Sequence, residues 1–266
     1  MKLIDDITAF HNDLQQIRRD IHAHPELRYE EHRTADVVAK LLGDFGLEVS
    51  RGLAGTGVGG TLRCGTGQRS VGLRADLDAL PLQEHNAFQH RSTNSGVMHA
   101  CGHDGHTAML LGAARHMAKY KDFDGTVHFI FQPAEEGGAG AQRMLDEGLF
   151  EQHNCEAVFG MHNWPGMKVG QFAVCAGSMM ASSNEFEITV TGRGSHAALP
   201  HMGSDPVLIA CQLVQALQSI ITRNKKPLDA AVLSVTQIYG GDAYNVIPDT
   251  AVIRGTVRTF SVEVLD

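Results

Sequence analysis

Apolar residues at Ile7, Phe10, Leu14, Ile17 and Ile21 recur at steps of three and four. That spacing predicts one amphipathic helical face, which stops before His24-Pro25-Glu26 because proline disfavours continuation. A second helix is predicted from Glu31 to Phe45, with Gly46 as its stop. Beyond it the period changes. Short β-rich runs, SVGLRAD, TVHFIFQP and AVFGMHN, alternate with helical stretches at about 104–119 and 140–148. The alternation predicts an α/β fold, with a mixed, mostly parallel sheet flanked by helices. After the loop CAGSMMASSN the order becomes strand, loop, a long helix at about 205–223, then AAVLSVTQIYGG and DTAVIRGTVRTF as two further strands. This βαββ order predicts a separate α+β domain over 183–266, following an α/β domain over 1–182.

Composition narrows the function classes. A chain of 266 residues that is 43% hydrophobic and 20% charged reads as folded and globular. Its net charge is −8, and its basic residues are scattered. Neither nucleic acid nor an anionic membrane finds a footprint there, which leaves small molecules as the expected partners. No segment approaches the roughly 18 apolar residues needed to span a bilayer, and the acidic, amphipathic N-terminus lacks an apolar signal core, so the expected location is cytoplasmic. Five cysteines at irregular spacings argue against a disulfide framework. Cys64, Cys155, Cys175 and Cys211 are expected to be buried thiols.

The candidate chemistry is concentrated in a few short stretches. HACGHDGH, His99 to His106, offers thiolate and imidazole donors, which suit zinc-like first-row ions rather than magnesium or calcium. Cys101 and His103 can face one ion if the turn between them is tight, which Gly102 permits. The competing reading is a histidine-rich helix start with Asp104 as its N-cap. In PAEEGGAGA, Glu135 and Glu136 follow a predicted strand; one can bind metal while the other handles a proton, or both can form a solvated acidic turn. Asp76 and Asp78 leave their strand on one face, where either could orient a histidine ligand or simply end the strand. His22, His24, His162 and His196 are weak signals taken singly. The predicted strands nevertheless end in Asp76 and Asp78, in Glu135 and Glu136, and in His162. Ligands of open α/β sheets gather outside the carboxyl ends of the strands, so one shared site is expected. GTGVGG matches a dinucleotide fingerprint at Gly55, Gly57 and Gly60, but strand and turn follow it instead of a helix, and nucleotide binding is rejected.

RRDIHAHPEL, LRADLDALP, MHACGHDGHTAMLLGAA, FIFQPAEEGGAGA, GMHNWPG, GRGSHAALPH and NVIPDTAVIRGTVRTF, in this order, span nearly the whole chain. They resemble the cysteine-ligand branch of the co-catalytic metallopeptidases, which includes hippurate hydrolase, N-acyl-amino-acid amidohydrolases and auxin-conjugate hydrolases. The resemblance implies a zinc-peptidase-like catalytic domain with an inserted ferredoxin-like lid and dimerisation domain. It also implies two divalent ions (zinc, manganese, cobalt or nickel), with Cys101, His103, Glu136 and His162 as ligands. Glu135 matches the family's catalytic acid/base, and Asp78 matches the aspartate beside the metals. His196 matches a histidine presented to the partner subunit's active site, and Asn245 a position near the substrate carboxylate. The implied activity is hydrolysis of the amide bond of N-acyl amino acids by a homodimer; the alternatives are an inactive metal-binding or dimerising fragment, or a hydrolase of short peptides. Family members continue well past GTVRTFS to supply one further histidine ligand. The expectation from sequence is therefore a chain that ends before its site is complete and has little activity by itself.

Overall fold

A computed structural model describes residues 4–266. The chain packs as two units, Met1–Gln171 and Phe172–Asp266. The first unit runs α1 (Asp5–Ala9), α2 (His11–Ala23), α3 (His32–Asp44), β1 (Glu48–Arg51), β2 (Val58–Cys64), β3 (Ser70–Asp76), α4 (His103–Tyr120), β4 (Gly125–Gln132), α5 (Gly140–Asp146), α6 (Leu149–Gln152) and β5 (Ala157–Gly160). The single N-terminal helix of the periodic pattern is broken at Phe10, which leaves helical geometry at φ −109° and buries its ring under the Arg115 guanidinium.

The five strands lie in the order β1-β2-β4-β3-β5. β2 pairs antiparallel with both β1 and β4, while β3 pairs parallel with β4 and β5. Four strands thus point one way, and only β2 opposes them. β4 is buried on both faces, which is why TVHFIFQ reads as an apolar run rather than an alternation. Its Val127, Phe129 and Phe131 pack with Val38 and Leu42 of α3 and Leu111 of α4; Ile130 packs on the other face with Met144 and Leu149. Each fully buried phenylalanine stabilises the fold by about 1.5–3 kcal/mol relative to exposure. This two-sided packing fixes the carboxyl ends of β3, β4 and β5 as a row.

The second unit contains β6 (Asn184–Thr191), β7 (Ser195–His196), α7 (Pro206–Ser219), β8 (Ala231–Gly240), β9 (Val246–Ile247), β10 (Thr250–Thr259) and α8 (Val262–Leu265). Its main sheet is antiparallel, ordered β6-β10-β8. α7 starts where Asp205 caps the Val207 and Leu208 amides at 2.9 and 3.1 Å and Pro206 supplies a preset φ. The helix buries Ala210 against Ala251 and Ile253 of β10. The packing boundary falls before the residue-183 boundary read from sequence. Residues just ahead of β6 belong to this unit, because the Ser182 amide donates to the Thr259 carbonyl at 2.7 Å.

All five cysteines are free. None of the four expected to be buried is so: Cys64 and Cys155 are half-buried, and Cys175 and Cys211 are exposed; Cys211 follows Ala210 on α7 and faces outward from the contact that buries its neighbour. Among the described residues no helix is long and apolar enough to cross a membrane.

Candidate metal centre

Parallel pairing of β3, β4 and β5 brings three chain segments to one edge. Asp76 is the last residue of β3, Glu135 and Glu136 follow β4, and His162 follows β5. Facing them, α4 opens with His103. Gly102 precedes it at φ +93°, and a Cβ there would stand 2.3 Å from the Asn163 Nδ2. Only glycine accommodates so tight a turn between Cys101 and His103. Gly102, not Asp104, occupies the N-cap position. Asp104 is turned instead toward His22 Nδ1 at 2.9 Å and Arg18 Nε at 2.7 Å.

His103 is fully buried, and four carboxylates surround its ring. Its Nδ1 lies 3.3 Å from Asp78 Oδ1; its Nε2 lies 3.7 Å from Asp76, 3.8 Å from Glu135 and 3.9 Å from Glu136. Cys101 Sγ is 3.3 Å from His162 Nε2. Three donor sets result, each with its atoms within 4.8 Å: Cys101, His103 and His162; Asp76, His103 and His106; His103, Glu135 and Glu136. Both ring nitrogens of His103 and the Oδ1 of Asp78 are buried without an aligned hydrogen bond. Leaving such groups unsatisfied costs about 1–3 kcal/mol each. Separations of 3.7–3.9 Å are too long for hydrogen bonds. They suit donors about 2 Å from a shared ion.

The electrostatics favour a cation in the same place. Burial opposes charge on His103, but Asp78, Cys101 and Asp76 outweigh it and push the ring's pKa up to about 11. Burial also raises Asp76, yet its bond to His106 and the nearby Arg74 and His103 hold it well below the usual carboxylate range. Asp78 is likewise lowered, against its burial, by His103 and by the Glu136 and Glu135 amides. Glu135 moves the other way, raised by burial and by the neighbouring Glu136 carboxylate. Glu135 is thus shifted opposite to Asp76 and Asp78.

Sequence reasoning passed over His106. Its Nδ1 meets Asp76 Oδ1 at 2.6 Å and its Nε2 accepts from the Asn163 amide at 3.0 Å, so it ties the end of β3 to the loop that carries His162. The available signal was its place one turn beyond His103 on the same face of α4. His24 lies apart from these donor sets, bonded to the Asp20 carbonyl at 2.8 Å. In the second unit, pairing of β7 with β9 sets His196 beside Val246, and the Ala197 amide donates to the Asn245 carbonyl at 2.9 Å. His196 and Asn245 are therefore exposed neighbours.

A family model described as peptidase family M20/M25/M40 matches residues 72–259. Hippurate hydrolase of Campylobacter jejuni is 45% identical over 263 residues, covering 99% of this chain and 68% of its own. N-acyl-L-amino acid amidohydrolase of Geobacillus stearothermophilus is 44% identical over 262 residues, covering 97% and 69%. An IAA-amino acid hydrolase of Arabidopsis thaliana is 46% identical over 248 residues, covering 92% and 56%. The chain therefore spans 56 to 69% of the length of these relatives. Among solved structures, a putative aminohydrolase from methicillin-resistant Staphylococcus aureus superposes with TM-score 0.87 at 34% identity, covering 98% of this chain and 70% of that one. A dinuclear metal-binding peptidase of family M20 from Bacillus subtilis gives TM-score 0.76 at 39% identity, covering 96% and 66%.

Proposed function

The chain belongs to peptidase family M20/M25/M40, and from that premise we propose that it serves a metal-dependent amidohydrolase that cleaves the amide bond of N-acyl amino acids. One observation carries the reading: the buried, unpartnered ring of His103 stands where three donor sets of thiolate, imidazole and carboxylate meet. Cys101, His103, Glu136 and His162 would hold two divalent ions of the zinc, manganese, cobalt and nickel class. Bound there, such ions supply Lewis acidity toward the scissile carbonyl and lower the pKa of a water.

Proton traffic falls to Glu135. Its raised carboxyl accepts the proton of the attacking water and returns it to the leaving nitrogen, one group serving both steps. Asp78 keeps the site in register, with Oδ1 toward His103 and Oδ2 accepting from the Glu136 amide at 2.9 Å. Residues 1–182 act as the catalytic domain and 183–266 as a lid that forms a homodimer. Through that lid His196 reaches the active site of the partner subunit and steadies the developing oxyanion, while Asn245 binds the substrate's carboxylate end. The names of the relatives support this substrate class, and five free thiols suit a reducing cytoplasm.

Metal analysis combined with hydrolysis of benzoylglycine and of a dipeptide panel, at saturating manganese or zinc and on the chain extended to the length of these relatives, tests the proposal. The expected outcome is two ions per chain and preference for the N-acyl amino acid. Absence of both metal and turnover overturns it, and turnover of dipeptides alone makes the enzyme a peptidase.

A further inference from the structure

We propose that Glu31 is a positioning residue that sets the direction in which Glu135 and Glu136 leave the sheet, acting through the backbone of Ala134. The inference rests on the hydrolase reading of that carboxylate pair. Glu31 is fully buried and meets only neutral donors: its Oε1 accepts from the Ala134 amide at 2.8 Å and its Oε2 from the Thr56 hydroxyl at 2.5 Å. A carboxylate buried without a cation is costly, so its partners identify what it maintains. Capping is not its task. Glu31 stands at the N-cap position of α3 yet makes no side-chain cap bond there. Glu26 accepts instead from the Arg33 and Thr34 amides, at 2.9 and 2.8 Å.

The group that Glu31 holds is unusual. Ala134 is fully buried at φ +51°, in the left-handed region, where a residue with a Cβ stays only if its surroundings fix it. That residue, the first of three at positive φ in the loop with Gly137 and Ala139, turns the chain directly after β4 and ahead of Glu135 and Glu136, whose carboxylates stand 3.8 and 3.9 Å from His103. The turn closes tightly: the Ala134 carbonyl accepts from the Gly140 amide at 3.0 Å, and a Cβ on Gly140 would stand 1.8 Å from the Pro133 oxygen. The segment before α3 grips this loop at alternate residues. Glu31 holds Ala134, Arg28 Nη1 donates to the Glu136 carbonyl at 3.0 Å, and the Tyr29 hydroxyl donates to the Gly138 carbonyl. From the opposite side Asp78 accepts the Glu136 amide. Among these grips, the Glu31 bond alone acts on the left-handed residue directly ahead of Glu135.

Three readouts on one set of variants, made in the chain extended to the length of its relatives, test the clamp. In Glu31→Ala, amide exchange over residues 134–138 should accelerate about tenfold or more, as expected for loss of a hydrogen bond to a buried charged group. On benzoylglycine kcat should fall about 10- to 100-fold while KM stays within a factor of about two, the pattern of a misplaced rather than a missing group. In the cobalt-loaded protein the thiolate charge-transfer band from Cys101 should persist while the ligand-field bands shift. Glu31→Gln offers an oxygen to the Ala134 amide and an NH₂ to Thr56, and it should restore all three. Wild-type exchange and kcat in Glu31→Ala, or a Glu31→Gln variant as impaired as Glu31→Ala, overturns the proposal. Should Glu31→Ala fail to fold, Glu31→Asp replaces it: one methylene shorter, it cannot span both partners, and wild-type kcat and exchange in that variant are equally fatal. If the wild-type protein shows neither turnover nor the cobalt band, the hydrolase reading itself fails. Amide exchange in the variants then decides the clamp alone, faster exchange supporting it and unchanged protection removing it.

Discussion

Glu135 and Glu136 are adjacent in sequence, yet their environments separate them. Burial and the charge of its neighbour raise the Glu135 carboxyl, while the Glu136 backbone is fastened on both sides by Asp78 and Arg28. Replacing Glu135 by Gln keeps the shape and removes the proton acceptor. In the enzyme extended to the length of its relatives, Glu135→Gln should retain metal, measured by elemental analysis, and lose turnover by at least about 10²–10⁴-fold, the usual worth of an acid/base group. Near wild-type rates would remove Glu135 from the chemistry. The proximity of these donors was legible at the residue scale, because Cys101 and His103 are separated by one residue, Glu135 and Glu136 by none, and short spacing is visible in a string. His106 and Glu31 were not. Their partners lie 30 and 103 residues away, and such bonds leave no local pattern.

At the scale of elements, the row of strand ends was readable because β3, β4 and β5 are apolar runs that stop in acids or histidine. The break between α1 and α2 was not, since Ile7, Phe10 and Leu14 keep their helical spacing across it. The start of α4 carries a prediction. With Gly102 at φ +93° against Asn163, Gly102→Ala must move either Cys101 or the helix, and metal affinity by competition titration should fall about tenfold or more. Unchanged affinity would mean that the turn does not set the donors. A second prediction concerns β4 and the chain after α6, which bring two buried histidines together. His128 Nδ1 is 3.2 Å from His153 Nδ1 and 3.0 Å from Thr61, and His153 Nε2 is 2.8 Å from Ser50. Burial lowers the pKa of both rings below the ordinary value. The folded state therefore prefers them neutral. Their contribution is complete above about pH 6.5 and is lost as pH falls from there through the depressed folded values. The melting temperature should decline between about pH 6.5 and 5, ahead of the carboxylate window. His153→Gln should flatten that decline, and an unaltered slope would rule out the pair as its source.

Viewed as a whole molecule, the chain has separate cores for its two units. Val38, Leu42, Phe129 and Phe131 belong to the first, and Ala210, Ala251 and Ile253 to the second. Among the described residues, the clustered metal donors, from Asp76 to His162, lie in the first unit. The sequence reads as a change from α/β alternation to βαββ order near residue 183, while the packing divides after Gln171. The segment before β6 joins the second unit through hydrogen bonds to Thr259 rather than through any apolar period. Binding at a site confined to one unit stabilises that unit alone, by about 2.7 kcal/mol when free metal is 100 times its dissociation constant. For a unit of this size each kcal/mol raises the midpoint by about 2–4 °C. Calorimetry should therefore resolve two transitions, of which only one rises, by roughly 5–10 °C on adding saturating zinc or manganese, and returns on chelation. Cys101→Ser should shrink that shift and leave the other transition in place. If both transitions move together with metal, the units do not unfold independently and the separation of their cores has no thermodynamic consequence; if neither moves, the donors around His103 do not bind the ion.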